Sequence, residues 1–275
     1  MILKETFDKS NLLSTLLICV LFLAGFSIQK PTEHPLYDSK MVLIKGGTFR
    51  MGQPDPNITI TGFTKDEQPA HKVTIDDFYI SKYEVTQREW KEIMGESPST
   101  FNGCDECPVE TVSQIYISSF LDKLNEKSFK AGSKFYYCLP TEAQWEYAAR
   151  GGRFSKGPKN TGNKMIGRLA WYRGNSGKKT HPVGKKLPNE LGLYDMLGNV
   201  WEMCSDYYSK NYYQDCKDKG IVRNPEGPKN GSQNAIRGGG WIDEASACRV
   251  SSRYHTQGTL GKNHYIGFRL AAVLR

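Results

Sequence analysis

Four glycine-containing segments that also carry aromatic and charged residues most constrain what this chain can fold into. In chain order they are Leu139–Gly152, Gly192–Glu202, Arg237–Trp241 and Gly267–Leu270. Each segment places charged side chains among apolar residues and glycines. A charge is tolerated in a protein interior only when it is paired. The pattern therefore predicts a structural network of buried charges, with Glu146, Arg150 and Arg269 among its members.

In this order the four segments resemble those of the formylglycine-generating enzyme family, also called the sulfatase-modifying-factor domain. The resemblance begins with Met41–Gly52 and extends to the end of the chain. It implies one α+β domain over residues 41–275, with a formylglycine-generating-enzyme fold related to the C-type lectin fold, loop-rich and with a small antiparallel sheet. The 27 glycines and a mean hydropathy of −0.55 also favour a loop-rich globule over a helical bundle.

The N-terminus has the layout of an export signal. Lys4 and Lys9 precede an uncharged, mostly apolar run from Leu12 to Ile28. Such a run is typical of a secretory signal peptide, and its length also leaves an uncleaved membrane anchor open. We predict a signal peptide or N-terminal anchor at residues 1–28, a polar linker at 29–40, and an exported protein whose only membrane contact is this segment.

The charge balance limits the class of partner. The net charge is +8, which favours anionic surfaces and glycans through long-range attraction. The basic residues are not concentrated as a nucleic-acid-binding stripe would be, and the pairs Lys178-Lys179 and Lys185-Lys186 are more typical of a solvated loop. We expect a monomer that binds a protein, a peptide or an anionic glycan, and no nucleic acid.

Local patterns predict the first strands. Met41–Met51 contains Gly46-Gly47 between apolar and β-branched residues, which predicts a hairpin. His71–Ile80 alternates apolar and polar residues, as a half-buried strand does. Further short strands are expected around residues 200–203, 234–237 and 267–272.

Three helices have recognisable starts. Thr86 and Glu89 have the spacing of a capping box, and a second helix follows Val112. A third helix begins at Pro140-Thr141 and ends at Gly151-Gly152, with Trp145, Ala148 and Ala149 facing inward.

The resemblance implies a calcium site. In the family, the positions that match Asp195, Gly198, Val200 and Glu202 supply calcium ligands. Calcium prefers six to eight oxygen ligands, which two carboxylates and two carbonyl groups could contribute in part. The alternative is that Asp195 and Glu202 cap turns and pair with Arg237 or Arg269.

Two further positions decide between an enzyme and a binding protein. The family's oxidase binds copper(I) through two cysteines, and this chain has Asp243 at the first position and Cys248 at the second. A carboxylate is a hard ligand that does not replace a thiolate on a soft metal, so we expect no copper. Cys248 is the one candidate catalytic residue, and a formylglycine-generating oxidase or related oxidoreductase acting on a sulfatase-type cysteine peptide stays open as the alternative. Cys104 and Cys107 have CxxC spacing and are interpreted as a loop disulfide or a reduced pair.

The C-terminal loops contain short polar and aromatic residues of the kind that make adaptable contacts in recognition loops. Their layout resembles the surface-displayed variable proteins of diversity-generating retroelements. The favoured function is therefore a non-catalytic, ligand-binding or surface-displayed protein. The candidate ligand-binding residues are Trp241, Asp243, Glu244, Ser252, Tyr254, His255, Gln257, Asn263 and Tyr265. All of these side chains except that of Trp241 are expected to be exposed.

Overall fold

Short strands joined by long loops make up most of the ordered chain. A computed structural model describes residues 37–54, 65–156 and 165–275. The predicted export segment at 1–28 and the first part of the linker lie outside the described residues. Residues 37–40, which the sequence assigned to the linker, pack against the domain: the Tyr37 side chain is buried and its hydroxyl donates to the Glu89 carbonyl.

The described part of the chain contains five α-helices and eleven strands. The helices are α1 (Gln87–Met94), α2 (Gln114–Lys130), α3 (Glu142–Ala149), α4 (Ile166–Leu169) and α5 (Tyr212–Asp218). The strands are β1 (Met41–Ile44), β2 (Gly47–Met51), β3 (His71–Ile75), β4 (Phe78–Ser81), β5 (Phe135–Cys138), β6 (Trp201–Tyr207), β7 (Val222–Arg223), β8 (Asn234–Arg237), β9 (Arg253–His255), β10 (Ile266–Gly267) and β11 (Ala271–Leu274).

The strands form three small sheets in the described part of the chain. Their strand orders are β1-β4-β11-β5, β10-β6-β8-β9 and β2-β3-β7. Pairing is antiparallel except between β10 and β6 and between β3 and β7. The α+β, loop-rich class predicted from the sequence is confirmed, with three small sheets where one was expected.

The predicted hairpin at Met41–Met51 is wrong. Strand β1 pairs with β4, whereas β2 pairs with β3, so the two strands lie in different sheets. The predicted single strand His71–Ile80 breaks at Asp76 for the same reason, because β3 and β4 also cross between these sheets. At the crossing the Gly46 amide donates to the Asp77 carboxylate, and a Cβ on Gly46 would collide with the Ile75 carbonyl. The glycine therefore allows two backbones to approach closely, and it does not form a hairpin turn.

The helix starts follow the sequence signals. Thr86 and Glu89 form a reciprocal capping box at α1, and Thr141 and Gln144 form another at α3. Gly151 then adopts a left-handed conformation, with φ of 94°, just beyond the end of α3. These predictions are confirmed because capping chemistry depends on residues that are neighbours in the sequence.

Helix α3 carries two buried carboxylates that hold distant parts of the chain together. Arg253 binds Glu142 through two hydrogen bonds of 2.7 and 2.8 Å. Arg237 contacts both Glu142 and Glu146, and Arg150 reaches Glu146 at 2.6 Å. Strands β8 and β9 are thereby tied to α3, and the network predicted from Glu146 and Arg150 is present.

Two more buried pairs extend this pattern. Arg249 binds both oxygens of Glu67. Arg269, which follows β10, binds Glu202 of β6 through two hydrogen bonds of 2.5 Å.

The helices in the described part of the chain are all too short or too polar to span a lipid bilayer.

We predict that Arg253→Ala lowers the free energy of unfolding by about 3 kcal/mol or more, because it removes the main partner of a buried carboxylate. Urea denaturation monitored by tryptophan fluorescence measures the change. Arg173→Ala is the matched control, since Arg173 is exposed and pairs with exposed Glu244, and surface pairs contribute about 0–1 kcal/mol.

The same pair predicts an acid sensitivity. Burial alone would raise the pKa of Glu142, but Arg253 and then Arg237 bring it below its usual value. A depressed carboxylate pKa stabilises the fold above the unfolded-state pKa of about 4.3, and that contribution is lost as the pH falls further. A wild-type stability that does not fall between pH 5 and pH 3 would contradict this assignment.

Candidate functional site

A row of aromatic side chains runs along the loops between Trp241 and Tyr265. Phe101 packs edge-on against Trp241 with ring centroids 5.1 Å apart, and Trp241 contacts His264 at 5.5 Å. His264 in turn contacts Tyr265 at 5.6 Å. The Trp241 indole donates to the His264 carbonyl at 3.0 Å, so this end of the row is held by both packing and hydrogen bonding.

The row has a second part at β9. Tyr254 stacks on His255 at 4.5 Å and lies 6.3 Å from the buried Trp201 ring. His255 also contacts Tyr208 at 4.8 Å. We call the rings of Phe101, Trp241, His264, Tyr265, Tyr254, His255 and Tyr208 the aromatic row.

The predicted ligand-binding residues differ in exposure. Glu244, Tyr254 and Gln257 are exposed, whereas Asp243, His255, Asn263 and Tyr265 are half-buried. Trp241 is buried, with 7% of its surface exposed. The predicted exposure of Ser252 is wrong: its side chain is 0% exposed, because it lies in the turn between the buried Arg249 and Arg253.

Asp243 has a structural role in this loop. Its Oδ2 accepts hydrogen bonds from the Trp201 indole at 2.7 Å and from the Gly240 amide at 2.9 Å. Burial raises the pKa of Asp243, and these two hydrogen bonds act in the opposite direction. The carboxylate thus fastens the loop that begins at Trp241 to strand β6.

Cys248 is enclosed by the same loop. Its side chain is 1% exposed, and a Cβ on Gly239 would lie 3.0 Å from its sulfur. Burial, and then the nearby Asp243, raise the pKa of the Cys248 thiol. The nucleophilic form of cysteine is the thiolate, and this environment disfavours it.

A disulfide joins Cys104 and Cys107, so the loop-disulfide alternative for the CxxC pair is the one found. The Cys107 carbonyl accepts from the Gln87 amide, and the Asp105 carbonyl accepts from the Arg88 amide. The loop therefore satisfies two amides in the first turn of α1. The other described cysteines, Cys138, Cys204, Cys216 and Cys248, are free.

The residues predicted to bind calcium are in two different situations. Both oxygens of Glu202 are engaged by Arg269, and Oε2 also accepts from the Trp145 indole at 2.7 Å. This is the ion-pair alternative considered from the sequence. Calcium at Glu202 would have to compete with a buried arginine.

Asp195 is different because no described residue forms an ion pair with it. It has a positive φ of 55°, and its Oδ2 accepts from the Gly184 amide at 2.7 Å. Its Oδ1 is buried and has no hydrogen-bond partner in the described part of the chain. Burial is the main reason that its pKa rises to about 6.

Sequence reasoning missed a second carboxylate at this place, Glu84. It is fully buried, and its oxygens accept from the Asn199 side chain at 2.6 Å and the Val200 amide at 3.2 Å. Burial, followed by the charges of Asp195 and Glu202, raises its pKa well above the usual value. In the described part of the chain, no group of three or more His, Cys, Asp or Glu side chains has an arrangement suited to a metal.

Comparisons with known proteins identify the family to which the fold belongs. The profile of the sulfatase-modifying factor enzyme 1-like domain matches residues 28–274. The chain is 30% identical to the chaperone protein LppX of Paenibacillus barcinonensis, over 83% of this chain and 88% of that protein. It is 29% identical to the formylglycine-generating enzyme of Mus musculus, over 87% of this chain and 76% of that enzyme.

A solved structure supports the same assignment. Variable protein 1 of Treponema denticola superimposes with a TM-score of 0.70 at 30% identity, covering 84% of this chain and 94% of that one. The predicted fold and the predicted similarity to both formylglycine-generating enzymes and a variable protein are confirmed. The chain belongs to the family of sulfatase-modifying factor enzyme 1-like domains.

Proposed function

We propose that this chain is an exported, non-catalytic binding protein that recognises its ligand with the C-terminal loop face. The observation that carries the proposal is the carboxylate of Asp243, at the position of the first cysteine of the family's oxidase. That carboxylate accepts hydrogen bonds from Trp201 and Gly240.

Two properties of Asp243 argue against copper chemistry at this position. A carboxylate oxygen is a hard ligand, whereas copper(I) prefers soft thiolates. In addition, Oδ2 of Asp243 accepts two N–H hydrogen bonds, so both lone pairs of this oxygen are already used. Asp243 therefore does not supply the thiolate that copper(I) prefers, and its carboxylate instead holds the loop in place.

The aromatic row supports ligand recognition. Aromatic side chains give large contact areas and often dominate binding interfaces. Tyr254 is 39% exposed while it rests on the fixed rings of Trp201 and His255, so little conformational freedom is lost when it contacts a ligand. With a net charge of +8, the ligand class that fits is a protein, a peptide or an anionic glycan. The likeness to variable protein 1 is consistent with this function.

A second candidate function is an oxidoreductase acting on a sulfatase-type cysteine peptide. Its support is Cys248, which retains the second cysteine position, together with the similarity to formylglycine-generating enzymes. It requires that the Cys248 thiol become accessible and that another residue supply the second metal ligand.

A peptide assay separates the two functions. We expect no conversion of the cysteine in a Cys-x-Pro-x-Arg peptide to an aldehyde when the protein is incubated with copper(I) and oxygen, because one thiolate is missing. Mass spectrometry of the peptide gives the result. The formylglycine-generating enzyme of Thermomonospora curvata, a 27% identical relative, is the positive control. Aldehyde formation that disappears in Cys248→Ser would overturn the binding-protein proposal.

The loop face should separate stability from binding. We expect Tyr254→Ala and Gln257→Ala to change the free energy of unfolding by about 0.5 kcal/mol or less, since both side chains are exposed. Trp145→Ala and Trp201→Ala should each cost about 3–5 kcal/mol. Chemical denaturation of the four variants makes this comparison.

Ligand binding should depend on the exposed Tyr254 side chain. A peptide display library screened with the wild type supplies the test ligands. Tyr254→Ala should weaken the strongest hit at least about tenfold, which corresponds to 1.4 kcal/mol, whereas a distant exposed change such as Lys185→Gln should not. Hits that bind Tyr254→Ala as well as wild type would show that the face is misplaced.

We also propose that a calcium ion is held at Asp195 together with Glu84. Two observations support this pair over Glu202: among the described residues, Oδ1 of Asp195 has no hydrogen-bond partner and Glu84 makes no ion pair. A cation there would offset the repulsion between two buried carboxylates.

Calcium should therefore stabilise the wild type, by about 2.7 kcal/mol at a hundredfold excess over its Kd. Differential scanning calorimetry with and without a chelator measures this. Asp195→Asn should lose most of the response, and Asp215→Asn, at an exposed carboxylate of α5, should keep it. A wild type that does not respond to calcium or to the chelator would rule out the site.

A further inference from the structure

A basic pocket lies where strand β3 meets the end of helix α5, and none of its lining residues belongs to the candidate ligand-binding set. Its volume is about 370 Å³, and its lining includes Arg50, Lys72, Lys217 and the edge formed by Gly220 and Ile221. The three cations come from three elements, β2, β3 and α5.

Two of these cations are cross-strand neighbours on one face of a sheet. Arg50 and Lys72 are direct partners in the antiparallel pairing of β2 with β3, so their side chains project from the same face. The next pair on this face, Thr48 and Thr74, joins its hydroxyl groups at 2.8 Å. Like charges directly opposite each other destabilise a sheet. Their pairing is therefore a cost to the free protein, and Lys217 adds a third positive charge.

Neighbouring cations at this sheet are neutralised, in contrast. Arg223 of β7 pairs with Asp76 at 2.6 Å, and Lys45 pairs with Asp77 at 2.8 Å. Within residues 37–54, 65–156 and 165–275, no acidic side chain makes an ion pair with Arg50, Lys72 or Lys217.

The pocket is held in shape from behind. Tyr213 of α5 is fully buried and packs on the His71 ring with centroids 4.7 Å apart. His71 is itself buried and forms part of the pocket lining. Because Tyr213 and Lys217 lie one turn apart on α5, this contact fixes the backbone from which Lys217 extends. The exposed Ile221 adds an apolar edge.

We propose that this pocket binds a sulfate or phosphate group, carried by a polyanionic glycan or present as a free ion. The group would lie between Arg50, Lys72 and Lys217, whose N–H donors suit its oxygens, and its negative charge would offset the repulsion between Arg50 and Lys72. Ile221 and Gly220 would then contact the less polar part of an attached sugar.

Isothermal titration with three probes tests the proposal: a sulfated hexasaccharide, the same hexasaccharide without sulfate, and inorganic phosphate. The decisive variant is Lys72→Glu, which places an acid opposite Arg50. It should weaken binding of the sulfated probe at least about tenfold, while the melting temperature without anion stays the same or rises. A purely structural role for Lys72 would not give this combination.

Lys185→Glu makes the same change of charge on an exposed residue outside the pocket, and we expect it to weaken binding less than about twofold. Tyr254→Ala should bind the sulfated probe like wild type, so a failure of the loop-face function and a failure of this site give different results. Binding of phosphate alone, with the same sensitivity to Lys72→Glu, would identify a free ion as the ligand. Equal losses in Lys72→Glu and Lys185→Glu, or no binding of either anion, would overturn the site.

Discussion

The buried pairing of α3 carboxylates with arginines from the C-terminal third is the interaction on which the rest of this structure depends. Glu142 and Glu146 sit on a short helix, and their partners Arg237 and Arg253 lie about a hundred residues later on β8 and β9. The same junction is lined by a hydrophobic core that includes Trp145 of α3 and Ala235 of β8. Within this core, charged groups that cannot be left unpaired hold the segments in one arrangement.

The candidate site is built on the scaffold that these ion pairs hold together. Trp201 begins strand β6 in the scaffold, and its indole donates a hydrogen bond to Asp243 in the loop after Trp241. One residue further, Glu202 is committed to Arg269. The scaffold thus ends in fixed hydrogen-bond donors, and the carboxylate of Asp243 fastens the loop to them.

Features set by nearby residues were predictable from the sequence, and features set by distant contacts were not. The capping box at Thr86 and the helix start at Thr141 are predictable because their signals lie within a few neighbouring residues. The predicted hairpin at Met41–Met51 is wrong because Gly46 lies against the Ile75 carbonyl. A contact between residues so far apart in the sequence leaves no sign in the local pattern. Ser252 was placed on the surface because a polar residue in a loop is usually exposed. Glu84 was overlooked because a single acid carries no signal until the fold brings it to Asp195.

The central claim is that the position pair Asp243 and Cys248 is structural, and the accessibility of the Cys248 thiol tests it most directly. The native protein is exposed to a thiol-alkylating reagent, and labelling is followed peptide by peptide with mass spectrometry. Cys204, which is 0% exposed, serves as the internal reference. The account predicts that Cys248 is labelled as slowly as Cys204, and that both rates rise together with denaturant. Rapid labelling of Cys248 in the native protein, with Cys204 still protected, would show a reactive cysteine and contradict the account.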